Sequence, residues 1–192
     1  MSRDGRGRRR VFRLSLAQAS QFSVAVSVSD TATPCASSHT HNRYVENVAM
    51  MTYPRSPKVL LGGIAHLARL IDKVKLRQAG QIQDYNYLTV GFDKYLIDFL
   101  QIDPKAFEQR VLAGGSDDEL LTWVRTNSRA LSDQEIAQWS QGLLTSGPKD
   151  DATRQRYQGR LQEVATKRGV PVASLPPAST WVDAIELDEG RI

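Results

Sequence analysis

The sequence predicts an all-α fold, a compact single-domain bundle of about six or seven short helices behind a disordered N-terminal extension. After residue 51, apolar residues recur at helical spacings, and no run alternates between apolar and polar residues over the length of a strand. Two segments also begin with a Ser-x-x-Glu capping box. The chain has 192 residues, 41% of them hydrophobic, which is enough for one domain with a tail.

The first predicted helix follows the glycine pair Gly62-Gly63 and ends near Gly80. Its apolar face consists of Ile64, Leu67, Ala68, Ile71 and Val74. The helical pattern then stops between Gln81 and Val90, where Tyr85-Asn86-Tyr87 indicates a packed loop. The second helix has the strongest period in the chain, and we expect its apolar stripe to face the core. That stripe consists of Phe92, Tyr95, Leu96, Phe99 and Leu100.

Start and stop signals delimit the next helices. Asp103-Pro104 is typical of an N-cap and first turn, and Gly114-Gly115 ends that helix. In the segments Ser116–Glu119 and Ser132–Glu135, the serine oxygen accepts from the glutamate amide and the glutamate accepts from the serine amide. These two segments therefore predict helix starts.

The C-terminal part continues with a break at Gly147-Pro148 and a long, polar helix that Gly169 ends. A last short helix is expected around Trp181. We expect Trp123, Trp139 and Trp181 to anchor the core, because no basic residues alternate with them as a groove for single-stranded nucleic acid requires.

Residues 1–50 differ from the rest of the chain in charge and composition. They contain seven Arg and three acidic residues, whereas residues 51–192 contain 18 basic and 18 acidic residues. We interpret residues 1–50 as a disordered Arg/Ser-rich leader, or as sequence upstream of a true start at Met50 or Met51. An organelle transit peptide and an interrupted secretory signal are the other interpretations. Nucleic-acid binding is not expected of the neutral body and would depend on the arginine-rich leader.

Residues 51–192 contain no Cys and a single histidine, His66, because Cys35, His39 and His41 lie in the leader. This composition excludes disulfides, thiolate nucleophiles and multi-histidine metal sites for the body. No apolar run of 18 residues predicts a membrane span. We therefore expect a cytoplasmic protein without a redox or metal cofactor.

Several short motifs, taken in order, are similar to those of a known family. In the first half they are Leu61-Gly62-Gly63, His66-Leu67, Arg69, Ile71-Asp72-Lys73, Gly80, Tyr85, Gly91-Phe92-Asp93-Lys94 and Asp98-Phe99-Leu100. In the second half they are Gly114-Gly115-Ser116-Asp117, Trp123, Thr180-Trp181 and Asp188-Glu189-Gly190-Arg191. Over nearly all of residues 56–191 the chain resembles a bacterial domain-of-unknown-function family, number 5069. The resemblance implies a small soluble helical domain and brings no activity, cofactor or catalytic residue.

The first helix carries a candidate anion-binding strip of His66, Arg69, Lys73 and Arg77. At about 100° per residue these side chains fall within roughly 80° of arc, opposite the apolar stripe. With the free amides at the helix start, they could bind the carboxylate or phosphate of a small anionic ligand. The alternatives are an ordinary solvated face, or cations that pair with acids from elsewhere in the fold. His66 is the candidate general acid or base, because it alone normally titrates near neutrality.

The loop residues Tyr85 and Tyr87, together with Asp72 and Asp93, complete the candidate ligand-binding surface. The alternative for the tyrosines is ordinary packing with the hydroxyl groups at the surface.

The acidic C-terminus supports a separate hypothesis. We expect Asp188 or Glu189 to fold back onto Arg69 or Lys73 and so close the two ends of the domain. The alternative is an oxygen-ligated metal site formed by Asp183, Glu186, Asp188 and Glu189.

These observations predict a ligand-binding or protein-interaction module whose partner is a small anionic molecule or a protein. The alternative is a small enzyme that acts on an anionic metabolite with His66 as general acid or base. The two differ in geometry, because an enzyme needs its side chains to converge in a concave, partly dry pocket.

Overall fold

The computed structural model describes residues 53–192, so the predicted disordered leader lies outside the described residues. Within residues 53–192 the chain forms seven α-helices and no strand, which confirms the all-α prediction. The helices are α1 (Leu67–Gln78), α2 (Gly91–Leu100), α3 (Pro104–Leu112), α4 (Asp117–Asn127), α5 (Asp133–Leu144), α6 (Asp151–Arg168) and α7 (Trp181–Asp188). A short 3₁₀ turn, Val172–Ser174, lies between α6 and α7.

Helix α1 lies at the centre of the fold. It packs against α3, and its apolar residues share the main core with residues of α2, α4 and α5. Every residue from Leu67 to Val74 is buried, the charged residues included. A charged side chain inside a protein is tolerated only when it is paired and hydrogen-bonded, so the position of α1 requires internal partners for its charges.

The turn before α1 differs from the prediction. Ile64, which was expected inside the helix, instead exchanges backbone hydrogen bonds of 3.2 and 3.0 Å with Leu61. Gly62 has φ +60°, and a Cβ atom there would lie 2.5 Å from the side chain of Leu121, so this position requires glycine. His66 is the N-cap in the left-handed region, with φ 66°, and the helix begins at Leu67.

Both predicted capping boxes are present. In Ser116–Glu119 and in Ser132–Glu135, the serine Oγ accepts from the glutamate amide at 3.2 Å. Two further boxes, Asp150–Thr153 and Thr180–Asp183, begin α6 and α7. These two boxes were not predicted, because threonine and aspartate stand at the position that glutamate occupies in the Ser-x-x-Glu pattern.

The predicted stripe of α2 is correct for its leucines and wrong for Tyr95. Leu96 and Leu100 are fully buried, whereas Tyr95 is 59% exposed and packs its ring against Phe92 at the surface. Phe99 is partly buried and stacks on Trp139 of α5, with ring centroids 4.6 Å apart. The expected anchoring role of the tryptophans is confirmed for Trp139 and Trp123 at the core edge. Trp181 packs edge-on against Tyr157 of α6.

None of the helices within residues 53–192 has both the length and the apolar character that crossing a membrane would require.

Candidate functional site

The predicted residues His66, Lys73 and Asp93 meet in the core between α1 and α2. The Asp93 carboxylate accepts from His66 Nε2 at 2.8 Å, from Lys73 Nζ at 2.6 Å and from the Leu88 amide at 3.1 Å. All three side chains are at most 4% exposed. Asp93 therefore links the start of α1 to its middle and to the loop before α2.

Burial and the contacts within this group together set its charge states. Burial lowers the pKa of His66, and the nearby charges of Lys73 and Arg69 add to the effect against the opposing influence of Asp93. Burial also lowers the pKa of Lys73, with Asp93 again opposing the shift. For Asp93, burial works in the other direction, but the hydrogen bond from His66 and the Lys73 charge outweigh it, so its pKa is lowered. At neutral pH the imidazole is neutral and Asp93 is ionised.

One nitrogen of His66 has no hydrogen-bond partner among the described residues. An ionised carboxylate only accepts hydrogen bonds, so the proton of the neutral ring is on Nε2 and Nδ1 has a free lone pair. Nδ1 is buried, as is the hydroxyl of Tyr157, the other buried side-chain polar atom without a partner in residues 53–192. Buried polar atoms without partners are uncommon, so Nδ1 is a candidate for contact with a water or a ligand.

Arg69 and Glu189 form the contact that was predicted between the first helix and the C-terminus. Arg69 Nη1 and Nη2 donate to the two carboxylate oxygens of Glu189 at 2.9 and 2.5 Å, and the Tyr85 hydroxyl donates to the same carboxylate at 2.9 Å. Burial opposes ionisation of Glu189, but the bond and charge of Arg69 outweigh it and lower the pKa. The predicted contact of the C-terminal segment with the first helix is confirmed for Glu189. Asp188 instead pairs with Arg160 and Lys167 of α6.

Two arginines outside the predicted set, Arg55 and Arg191, extend these contacts to the first and last segments of the described residues. Arg191 donates to Glu186, to Glu189 and to the carbonyl of Pro54. Arg55 binds both oxygens of Asp72, at 2.7 and 2.9 Å, and also pairs with Asp117 of α4. Arg55 stands in a proline-rich turn segment without periodicity, so no local pattern marked it. Arg191 belongs to the motifs of the family resemblance, but no contact was predicted for it. Its acidic neighbours in the sequence were a signal for an ion pair.

We call this set of contacts the ion-pair network. It comprises His66, Tyr85 and two groups of opposite charge, namely Arg55, Arg69, Lys73 and Arg191 facing Asp72, Asp93, Asp117, Glu186 and Glu189. Four cations thus face five carboxylates. Of the alternatives for the strip on α1, pairing with acids from elsewhere in the fold is confirmed for Arg69 and Lys73. An external anion could reach either only by displacing its carboxylate, which would leave a buried charge uncompensated.

The other members of the predicted surface are also engaged. Arg77 lies over the ring of Tyr87, 4.6 Å from its centroid, and the Tyr87 hydroxyl donates to Glu108 of α3 at 2.6 Å. Burial, followed by the contact with Glu108, raises the pKa of Tyr87. Tyr85 covers the buried cations, since its ring centroid lies 5.8 Å from the Arg69 guanidinium and 6.0 Å from Lys73 Nζ.

The amides before α1, which were expected to help bind an anion, already have acceptors. Ile64 donates to the carbonyl of Leu61, and His66 donates to that of Pro57. The Ala65 amide donates to Ser140 Oγ, which in turn donates to the carbonyl of Gly63. These amides hold the turn against α5.

At the acidic C-terminus, the residues of the alternative metal site are used in other contacts. Asp183 closes the capping box of α7, and Glu186 and Glu189 bind Arg191. No group of three or more potential metal ligands occurs within residues 53–192.

An open pocket lies elsewhere, at the corner where α4 leads into α5. Its volume is about 130 Å³, and it is lined by Ile64, Leu100, Val124, Arg125, Ser128, Arg129, Leu131, Asp133 and Ile136. The floor is apolar and belongs to the main core, whereas the charged residues form the rim. We call it the α4–α5 pocket. The pocket was not predicted from the sequence, because its lining combines Ile64, Leu100 and residues 124–136, three stretches that lie far apart in the sequence.

The corner is held in place by Arg129. Its backbone amide donates to the carbonyl of Leu100, and its Nε donates to the carbonyl of Phe99, both at the end of α2. Its Nη1 pairs at 2.9 Å with Glu135, which also completes the capping box of Ser132. The backbone and side-chain bonds of Ser132 lower the pKa of Glu135 to about 2, together with the bond from Arg129. The hydrogen bonds of Arg129 and Glu135 therefore hold the segment between α4 and α5, which lines the pocket, against the end of α2 and the start of α5.

Comparison with known proteins adds one finding about family. A family model described as "Domain of unknown function (DUF5069)" matches residues 51–191. This range contains all seven helices, the ion-pair network and the α4–α5 pocket. No match was found among curated proteins.

Proposed function

The chain belongs to the DUF5069 family, and from that premise we propose that it is a small-molecule-binding module whose ligand occupies the α4–α5 pocket. The ion-pair network is then the scaffold that joins the first and last segments of residues 53–192 to α1. The proposal keeps the cytoplasmic location expected from the sequence.

One observation carries the proposal: the α4–α5 pocket is concave and open to solvent, with buried apolar residues at its base and polar groups over the larger part of its exposed lining. Small-molecule sites are concave and combine apolar side chains with a few polar groups that orient the ligand. The volume of about 130 Å³ is near that of an engineered cavity of about 150 Å³ that binds benzene. A ligand with a small apolar part therefore fits the pocket.

The candidate surface predicted from the sequence supports a structural role better than a binding role. Arg69 and Lys73 are each 3% exposed and already hold a carboxylate. Breaking one buried pair by removing a partner costs about 3–5 kcal/mol, which a weakly bound anion would have to offset. A ligand in the α4–α5 pocket meets no such cost.

The test is a methyl NMR titration of the full-length protein with short aliphatic alcohols, amines, acids and amino acids. We expect shifts confined to the methyl groups of Ile64, Val124, Leu131 and Ile136. Leu131→Trp, which fills the pocket with a larger side chain, is expected to abolish them. Leu112→Trp is the matched control, because Leu112 is an exposed leucine of α3 that does not line the pocket.

The dispersion of the methyl spectrum shows whether each variant is folded, and Ser128→Leu replaces Leu131→Trp if the latter unfolds. If no compound shifts the pocket methyls, or if the shifts persist in the folded pocket-filling variant, the proposal is wrong. A protein partner would then be the first hypothesis.

A second candidate function is favoured by the free Nδ1 of His66. Asp93 fixes the imidazole with its proton on Nε2, so Nδ1 is oriented as a general base, and Asp93 would stabilise the imidazolium formed by proton uptake. The enzyme would act on an anionic metabolite. Phe92, which packs edge-on against the imidazole at 5.7 Å and is partly exposed, would have to move to admit it.

Two substitutions at His66 separate this catalytic role from a structural one. His66→Gln keeps a donor near Nε2 for Asp93 and removes Nδ1, whereas His66→Asn keeps a polar group near Nδ1 and loses the bond to Asp93. NMR detection of turnover in a panel of anionic metabolites is expected to show a reaction in the wild type that His66→Gln abolishes. Full activity in a folded His66→Gln variant would rule out the base.

A further inference from the structure

We propose that the ligand of the α4–α5 pocket is a free amino acid with a small aliphatic side chain, held as a zwitterion between Arg125 and Asp133. The inference rests on the proposed function, since it names the class of ligand for the same pocket. It is based on which charged residues at the rim form ion pairs within residues 53–192.

Two of the three charged residues at the rim have no ion-pair partner among residues 53–192. Arg125 makes one long hydrogen bond, from Nη2 to the carbonyl of Gly62 at 3.3 Å. Asp133 makes no side-chain hydrogen bond within the described chain, although it is the first residue of α5. Arg129, in contrast, is occupied by Glu135 and two backbone carbonyls at the end of α2 and in the corner. The pocket thus presents one available cation and one available anion.

Opposite unpaired charges at one rim select a ligand that carries both. A simple anion would pair with Arg125, but its negative charge would lie near that of Asp133. A simple cation would pair with Asp133, but its positive charge would lie near that of Arg125. Like charges across an interface are unfavourable, so each single-charge ligand is disfavoured by one side of the rim. An α-amino acid carries a carboxylate and an ammonium on the same carbon atom, so it offers one group of the matching charge to each of the two residues.

The apolar floor sets the size of the side chain. Because a cavity of about 150 Å³ accommodates the six carbons of benzene, the pocket of about 130 Å³ suits an apolar group of up to about five carbons. The side chains of valine, leucine and isoleucine are within this size. Their methyl groups would contact Ile64, Val124 and Ile136, while the charged groups stay at the solvent-exposed rim.

The first experiment compares L-leucine with two analogues that each lack one charge. Isocaproate keeps the carboxylate and the aliphatic tail, and isopentylamine keeps the ammonium and the tail. In methyl NMR titrations of the full-length protein, we expect each analogue to bind about tenfold more weakly than leucine, because a hydrogen-bonded charge contact is lost.

The second experiment assigns each charge to its residue. Arg125→Gln is expected to weaken leucine and isocaproate about tenfold and to leave isopentylamine unchanged or improved. Asp133→Asn is expected to weaken leucine and isopentylamine and to spare isocaproate. Asp151→Asn, which changes the first residue of α6 and lies outside the pocket, is the matched control.

The outcomes separate this inference from the proposed function. If leucine, isocaproate and isopentylamine bind the pocket equally, and neither rim variant changes their affinities, the amino acid assignment is wrong and the small-molecule site stands. If none of the three shifts the pocket methyls while another aliphatic compound does, the assignment again fails alone. If no compound shifts those methyls, the proposed function fails with it.

Discussion

The ion-pair network and the α4–α5 pocket use the same residue types and differ in burial. In the network, Arg69 and Glu189 are buried, and their charges are bound at 2.9 and 2.5 Å. At the pocket rim, Arg125 and Asp133 are exposed and unpaired within the described part of the chain. An unpaired charge is costly in the interior and inexpensive in water. The exposed charges of Arg125 and Asp133 therefore indicate a candidate binding surface, and the buried, paired charges belong to the scaffold.

The largest expected effect separates a buried carboxylate from an exposed one on the same helix. Asp93→Asn leaves Lys73 without its counter-ion in the core, so we expect the free energy of unfolding to fall by about 3–5 kcal/mol in urea titrations. Asp98→Asn removes an exposed pair with Lys94 four residues away and is expected to cost less than about 0.5 kcal/mol. Equal losses would contradict the distinction between network and surface.

The next effect tests whether Arg69 and Glu189 act as one unit. Arg69→Met and Glu189→Leu each leave the other charge buried, whereas the double variant leaves neither. We expect a double-mutant cycle, measured by urea unfolding, to give a coupling free energy of about 1–3 kcal/mol. Additive losses would show that the two residues contribute independently and that other contacts hold the C-terminal segment against α1.

A smaller effect concerns pH. Burial lowers the pKa of His66 in the folded state, below the unfolded value of about 6.5. Below that pH the unfolded chain binds a proton that the folded chain excludes, so the free energy of unfolding decreases by up to about 1.4 kcal/mol per pH unit. Urea unfolding between about pH 7 and 5 should show this slope in the wild type and a reduced slope in His66→Gln.

Carboxylates act in a separate pH range. The lowered pKa values of Asp93 and Glu189 mean that their stabilising contribution is complete above their unfolded values of about 4 and is lost as the pH falls further. If His66→Gln and the wild type have the same slope between about pH 7 and 5, the slope does not come from His66.

The smallest expected effect lies at the pocket. Arg125→Gln removes an exposed charge with one long hydrogen bond, so we expect its free energy of unfolding to stay within about 0.5 kcal/mol of the wild type. Chemical denaturation measures this directly. A larger loss would mean that Arg125 belongs to the scaffold, and the contrast between the two regions would weaken.

The fold was largely predictable from local signals. The capping boxes at Ser116 and Ser132 act over three residues, and the left-handed Gly169 ends α6 as predicted. The errors occurred where tertiary packing overrides periodicity. Ile64 has helical spacing to Leu67 and Ala68, but its backbone hydrogen bonds hold it in the turn before α1. Tyr95 has the spacing of a core residue, but it lies at the surface.

The candidate site was predictable only in part. The sequence brought His66, Arg69, Lys73 and Asp93 into one group, and the contact of Asp188 or Glu189 with Arg69 or Lys73 was expected from the opposite charges of the first helix and the C-terminal segment. The burial of these residues was not predicted, because a polar strip on a helix is normally solvated. Helix α1 is an exception, since every residue from Leu67 to Val74 is buried.

The sequence by itself determined most helix boundaries within residues 53–192, such as the starts of α4 and α5, because caps, breakers and apolar spacing act within one or two turns. The start of α1 is the exception, since the packing of the turn before it holds Ile64 outside the helix. Tertiary structure decided which charges are paired and which remain available. Arg69 and Glu189 are 120 residues apart, and the α4–α5 pocket combines Ile64 and Leu100 with the corner near Arg129. Such contacts depend on how distant segments pack, and burial then determines whether a charge must have a partner inside the protein.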